Sequence, residues 1–154
     1  LSEIAKLDIP EEVIEDTADR KVITRYTPLG SVVAIVPWNF PIQLAMGKIG
    51  PALLTGNTLI LKPSPFTPYC GLKIAELGQR FLPPGVLQAL SGDDNLGPWL
   101  TAHPDVDKIS FTGSTVTGKK VMESASKTLK RVTLELWVQL SPFIEYIDRI
   151  QWRK

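Results

Sequence analysis

The side chains able to do chemistry fall in five short clusters: Pro37-Trp38-Asn39-Phe40-Pro41, Lys62-Pro63-Ser64-Pro65, Ser91-Gly92-Asp93, Phe111-Thr112-Gly113-Ser114-Thr115 with Gly118, and Leu134-Glu135-Leu136. They supply a neutral amide, an ammonium, hydroxyls beside glycines, and a carboxylate. Such a set can donate hydrogen bonds to an anionic ligand and move a proton. Ser114 suits a helix cap, and a helix amino terminus that accepts a cap also accepts phosphate. Read singly, the clusters are weak: Lys62 could be a solvated residue leaving a strand, Trp38 and Phe40 core aromatics, and Gly113 to Gly118 an ordinary turn. Asn39, held between aromatic residues and a proline, has no obvious packing role.

The elements that would position these clusters follow from periodicity. From Val32 onward, short apolar runs alternate with helix-length segments, the pattern of β-α-β units around a parallel sheet buried on both faces. Strands are expected at Val32 to Val36, Thr58 to Leu61, Leu87 to Leu90, Lys108 to Phe111 and Arg131 to Leu136. The helices between them are expected at Ile42 to Leu54, Pro68 to Phe81, Gly97 to Ala102 and Thr117 to Leu129. Gly56-Asn57 suits a left-handed cap for the first helix, and Pro83-Pro84-Gly85 a stop after the second. The clusters then fall at consecutive strand carboxyl ends, where a parallel sheet binds ligands.

Before this unit, Glu11, Glu12, Glu15 and Asp16 precede an alternating strand at Lys21 to Tyr26, expected to pack outside the main sheet. After it, Ser141-Pro142 suits a helix start, with Phe143, Ile147 and Ile150 on one stripe. The boundaries expected are 1–26 for an extension, 27–136 for the ligand-binding unit and 137–154 for a divergent tail.

Together the clusters resemble the coenzyme-binding domain of the aldehyde dehydrogenase superfamily, over about 110 residues and weakly before them. The resemblance implies a Rossmann-like open α/β fold with helices on both faces, and NAD or NADP as cofactor. By it, Ile35, Val36, Pro37 and Trp38 line the dinucleotide. Lys62 holds the adenosine ribose with Ser64 nearby, Gly92 permits close approach, and Gly113 and Ser114 hold pyrophosphate. Asn39 is then the oxyanion donor, and Glu135 the general base for thioester hydrolysis. The pattern departs in two places. Family members place two glycines after the glutamate and then a long domain with a nucleophilic cysteine; here Trp137 and Val138 follow, and 18 residues remain after Leu136. Pro65 stands where NAD-preferring members often carry glutamate, so NADP stays open. The expectation is a dinucleotide site, weak or lost, without aldehyde oxidation by the family route.

The remaining residues narrow the classes. Of 154 residues, 44% are hydrophobic and 21% charged, with a net charge of +1, which suits one domain and offers no basic stripe for nucleic acid or anionic lipid. No run approaches the roughly 20 apolar residues of a membrane span, and with no signal-like amino terminus a cytoplasmic protein is expected. Cys70, the single cysteine, reads as a buried thiol in a helix, and His103 as a cap or solvated residue. No metal-ligand spacing occurs.

Two alternatives accompany the dinucleotide reading. One is a redox-free enzyme such as an isomerase, cyclase or aldol-type catalyst, using Glu135 as base and Asn39 as donor. It requires a closed pocket and a raised glutamate pKa. The other is an interaction protein, a homo-oligomer or partner subunit joined through an exposed sheet edge and the apolar tail.

Overall fold

A computed structural model describes residues 10–137. The tail helix expected from Ser141-Pro142 lies outside the described residues.

Strand β1 (Glu12–Asp16) and β2 (Lys21–Thr24) form an antiparallel two-stranded sheet of their own. Four of the acidic residues expected to precede a strand thus lie in or beside one. Their side chains pair with basic residues across the hairpin: Glu15 with Arg20 at 2.6 Å, Asp16 with Lys21 at 2.9 Å and Glu11 with Arg25. Exposed pairs of this kind contribute only tenths of a kcal/mol each (~0.2–1) but fix the register.

The main unit runs β3 (Ser31–Ile35), α1 (Pro41–Leu54), β4 (Thr58–Lys62), α2 (Pro68–Gly78), β5 (Leu87–Ala89), α3 (Leu96–Ala102), β6 (Lys108–Ser114), α4 (Thr115–Ser126), β7 (Arg131–Trp137). The five strands are parallel in the order β5-β4-β3-β6-β7. The chain builds outward from β3 in one direction, then returns through α3 to build in the other. The β3/β6 boundary is therefore the topological switch point, where helices leave to opposite sides and open a crevice.

Each face of the sheet has its own core. Even-numbered residues Val32, Ala34, Val36 of the β3 run and odd-numbered Leu59 and Leu61 of β4 pack with Ala45 and Ile49 of α1 and Ala75 of α2. On the other face Val33, Ile35, Ile109 and Phe111 meet Leu100 of α3 and Val121 of α4. A strand apolar throughout after Ser31, as β3 is, is what burial on both faces demands.

Burial on both faces does not extend across the sheet. Helices α1 and α2 pack over β3, β4 and β5, and α4 over β6 and β7 on the opposite side. Paired residues Lys108/Arg131, Ser110/Thr133, Thr112/Glu135 and Ser114/Trp137 share the α1-side face. There Arg131, Thr133, Glu135 and Trp137 are exposed. The alternation in β7 states this directly: its apolar set, Val132, Leu134 and Leu136, points to α4, the face over which a helix packs among the described residues.

Helix α1 ends in a Schellman motif, with the Gly56 N–H donating to Leu53 O (3.0 Å) and the Asn57 N–H to Ala52 O (3.0 Å). Gly56 has φ +78°, a conformation that costs an L side chain energy and glycine little.

Candidate active-site crevice

Two depressions flank the switch point on opposite faces. The first is a cleft of about 540 Å³ between α3 and α4, with Ile35, Phe111 and Val121 as its apolar floor and Lys62 and Asp94 at its edge. From α4 it takes Thr117, Lys120, Val121 and Ser124, the i, i+3, i+4, i+7 stripe that must face a neighbouring helix. A hydrogen bond from Thr101 Oγ1 to Ser124 Oγ (3.0 Å) ties the two helices together. The Lys62 stem passes Gly97, where an added Cβ would lie 3.9 Å from Lys62 Cε. Burial pushes the Lys62 ammonium below its ordinary pKa, and Asp94 opposes that shift.

The second depression, of about 370 Å³, lies between α1 and the polar face of β6 and β7. At its centre is Lys48, the one charged residue of α1. Its side chain is 3% exposed, and Nζ donates to Ser110 Oγ (3.2 Å) and pairs with Glu135 Oε2 (3.2 Å). Thr112 Oγ1 donates to the same carboxylate oxygen at 2.7 Å. The Thr112 hydroxyl, foremost, holds the Glu135 carboxyl below the usual carboxylate range; burial opposes it, and the Lys48 ammonium adds to the lowering. Glu135 is a fixed, ionised and half-exposed group, its side chain 54% accessible.

The Thr112 contribution has a direct test. Thr112→Val keeps shape and removes the donor, so the Glu135 pKa should rise, measured by carboxyl carbon shifts in a pH titration. A carboxylate with a depressed folded pKa contributes stability above its unfolded pKa, lost as pH falls through the folded value. In the variant that acid-side loss should be smaller and complete at a higher pH. An unchanged Glu135 titration would refute the assignment.

The other sequence-derived positions divide between the crevice and the packing around it. Ile35 and Lys62 line the α3/α4 cleft, while Glu135 sits across the sheet from it. Val36 is core. Ser64 is buried and its Oγ accepts the Phe66 N–H (3.3 Å), shaping the turn into α2. Gly92 makes room for Leu96, since an added Cβ would stand 3.1 Å from Leu96 Cδ2. Gly113 makes room for the Phe111 ring, 2.5 Å from where a Cβ would be. Ser114 caps α4, accepting the Thr117 N–H at 3.2 Å. Trp38 and Phe40 are 62% and 58% exposed, so neither is a core aromatic. The Trp38 carbonyl, on the strand-to-helix loop with Pro37, accepts from Thr67 Oγ1 (3.2 Å). Beside it Asn39 Oδ1 is buried and takes no hydrogen bond among the described residues. An orphan acceptor of this kind costs about 1–3 kcal/mol. Cys70 is half-buried rather than fully enclosed and lines neither depression. His103 is the C-cap of α3 and its Nδ1 accepts the Asp105 N–H. Among the described residues no group of three or more His, Cys, Asp or Glu side chains could hold a metal ion.

Sequence reasoning missed Lys48 and the α4 stripe. The signals were present: a lone charge inside an apolar helix, and polar Thr117, Lys120 and Ser124 at positions that a dry helix pair would fill with aliphatic residues.

Residues 2–142 match the aldehyde dehydrogenase family model. The chain belongs to the aldehyde dehydrogenase family. Among its aldehyde dehydrogenase relatives is the putative aldehyde dehydrogenase FUS7 of Gibberella fujikuroi, 60% identical over 131 residues, which cover 85% of this chain and 28% of that one. An Escherichia coli enzyme described as NADP dependent superposes with a TM-score of 0.81 at 42% identity, covering 84% of this chain and 28% of its own. PnpE, solved in complex with nicotinamide adenine dinucleotide, superposes at 0.79 with 43% identity, over 83% and 27%. The chain thus spans under a third of the length of the aldehyde dehydrogenases it matches. None of its helices among the described residues is long and apolar enough to cross a membrane.

Proposed function

We propose that residues 27–136 form a dinucleotide-binding unit of an aldehyde dehydrogenase, and that the 154-residue chain binds NAD or NADP without oxidising aldehydes by itself. The observation that carries this reading is the α3/α4 cleft at the switch point. Its width between two helices and its apolar floor of Ile35, Phe111 and Val121 suit a flat purine, and Lys62 at its edge suits a ribose hydroxyl or phosphate. Ser114 and the first turn of α4 would hold the pyrophosphate, since the N–H groups there and the helix dipole favour an anion. When bound, the nicotinamide supplies a hydride acceptor. The chain's own residues would orient it, with Asn39 offering an amide N–H on the loop above β3 and Glu135 a carboxylate across the sheet.

A nucleophile is what these residues do not provide. Cys70, the one cysteine of the sequence, lies in α2 away from both depressions. Among the described residues, then, no thiol is placed to capture an aldehyde covalently. The redox-free alternative gains nothing from the geometry, because Glu135 is open to solvent and held ionised by Thr112 and Lys48, the reverse of an enclosed base with a raised pKa.

Calorimetric titration of the full chain should show micromolar-to-millimolar binding, about −4 to −8 kcal/mol. An aldehyde supplied with saturating dinucleotide should yield no reduced dinucleotide. Absence of heat and of thermal shift at millimolar cofactor would overturn the binding claim; aldehyde-dependent reduction would overturn the claim of inactivity.

A further inference from the structure

The five-stranded sheet has two edges, and they differ in what they offer to another strand. We propose that β7 pairs antiparallel with β7 of a second copy of this chain, about a two-fold axis at Leu134. Two sheets then join into one continuous sheet.

The β5 edge is closed in two ways. It is three residues long, and its bonds to β4 use Val86 O and the Leu90 N–H, so alternation turns the backbone groups of Leu87 to the outer edge. There Gln79, the C-cap of α2, donates from Nε2 to Leu87 O at 2.6 Å. A short edge whose carbonyl is already taken is a poor template for pairing. The other edge strand, β7, is seven residues long. Its Arg131 N–H donates to Asp107 O on the β6 side, and alternation then directs the amides and carbonyls of Val132, Leu134 and Leu136 outward. Among the described residues no strand takes them, since β7 ends the strand order.

The sequence of β7 is complementary to itself in this register. Rotation about Leu134 sets Leu134 opposite Leu134 of the second copy and Val132 opposite its Leu136, on the face toward α4. These are the outward-directed residues, so each pair exchanges both backbone hydrogen bonds, and the strand is matched along its whole length. Moving the axis to Thr133 would leave Leu136 opposite Lys130, outside the strand. On the other face Arg131 lies opposite Trp137 and Thr133 opposite Glu135, all four exposed. A guanidinium over an indole is attractive. Thr133 Oγ1 already accepts from Lys108 Nζ (2.8 Å), which leaves its O–H to donate to the Glu135 carboxylate across the seam. Arg131 and Glu135 of the second copy are diagonal neighbours of opposite charge, within reach of long side chains. The like-charged diagonal is Glu135 with its own copy, and each of those carboxylates has Lys48 Nζ at 3.2 Å to offset it.

Light scattering on the full chain should give a concentration-dependent dimer. A single strand pair buries less than the roughly 1,200–2,000 Å² of a tight interface, so its dissociation constant should be on the order of 10 μM. Leu136→Pro removes an outward N–H without touching a bond to β6, at a place where an edge strand tolerates proline, and should weaken the dimer at least about 10-fold. Leu136→Ala keeps that N–H and should stay within about threefold of the parent. Arg131→Glu sets like charges across the seam and should weaken the dimer about 10-fold. Amide exchange on the unaltered chain locates the seam whatever the variants do. Raising the protein concentration should slow exchange at Val132, Leu134 and Leu136, while Arg131, Thr133 and Glu135, bonded to β6, keep their rates. A chain that stays monomeric at about 100 μM overturns the proposal. So does a dimer that forms without slowing those outward amides.

Discussion

Asn57→Leu is expected to cost about 3–5 kcal/mol, measured as a fall in urea midpoint at constant slope. Asn57 is 7% exposed and spends its whole side chain on four partners. Oδ1 accepts the N–H groups of Leu29 (2.6 Å) and Gly30 (3.0 Å), and Nδ2 donates to Ala52 O (3.1 Å) and Thr55 Oγ1 (2.8 Å). It therefore joins the end of α1 to the chain entering β3. Leucine fills the volume but leaves two backbone N–H groups facing an apolar side chain, each costing about 1–3 kcal/mol when buried. Those two N–H groups are part-buried, so the lower half of that range applies to each, and the lost cap bonds bring the total to the value given. Against a net stability of roughly 5–15 kcal/mol for a domain this is a large fraction. Asn57→Asp should lose less, because it keeps the acceptor for Leu29 and Gly30. A loss below about 1 kcal/mol for the leucine variant would refute the assignment of these bonds.

How much of this was visible in the sequence depends on the distance over which each feature acts. Alternating apolar runs and helix-length segments specify the order of elements, because burial on one or two faces is written into period. Gly56-Asn57 was legible as a turn for the same local reason. The partners of Asn57 in the Leu29-Gly30 segment were not, since nothing nearby in the chain signals an acceptor needed by residues 27 and 28 positions earlier. The alternation in β7 shows which residues share a face, but not that one of those faces would lie beside the buried ammonium of Lys48. The clusters do fall at the carboxyl ends of the strands. They did not separate Lys62 from Glu135, which the fold puts on opposite faces, because a count along the sequence does not record the side to which each strand's last residue points. Gly92 and Gly113 looked like ligand positions and are accounted for by Leu96 and Phe111; a glycine signals close approach without naming what approaches.

Lys62, at the edge of the α3/α4 cleft, and the hydrogen bonds of Asn57 and Asp107 occupy opposite ends of the same strands, and the second large effect follows from that division. Gly30 enters β3 with φ +118°, where an L side chain is strained by about 1–3 kcal/mol. A Cβ there would also run into Asp107 Oδ2, the atom that accepts the Ser31 N–H at 2.8 Å and Ser31 Oγ at 3.2 Å. Asp107 continues the staple through its backbone, its N–H donating to Ser31 O and its carbonyl accepting the Arg131 N–H, so β3, β6 and β7 start in register from this point. Gly30→Ala should therefore cost about 3–4 kcal/mol: the backbone strain, plus the charge-assisted bond lost as the carboxylate is displaced, reduced because that bond is exposed to solvent. The two parts can be separated. In an Asp107→Ala background the obstructing carboxylate is absent, so Gly30→Ala should cost only the strain, and the double-mutant cycle should give a coupling of about 1–2 kcal/mol. Additivity within about 0.5 kcal/mol would show that the two residues act independently and would sink the account. Because Lys62 and the first turn of α4 lie at the other end of the strands, the folded fraction of Gly30→Ala should still bind dinucleotide with the affinity of the parent. A loss of binding beyond the loss of folded protein would mean that the strand starts and the crevice are coupled through the sheet.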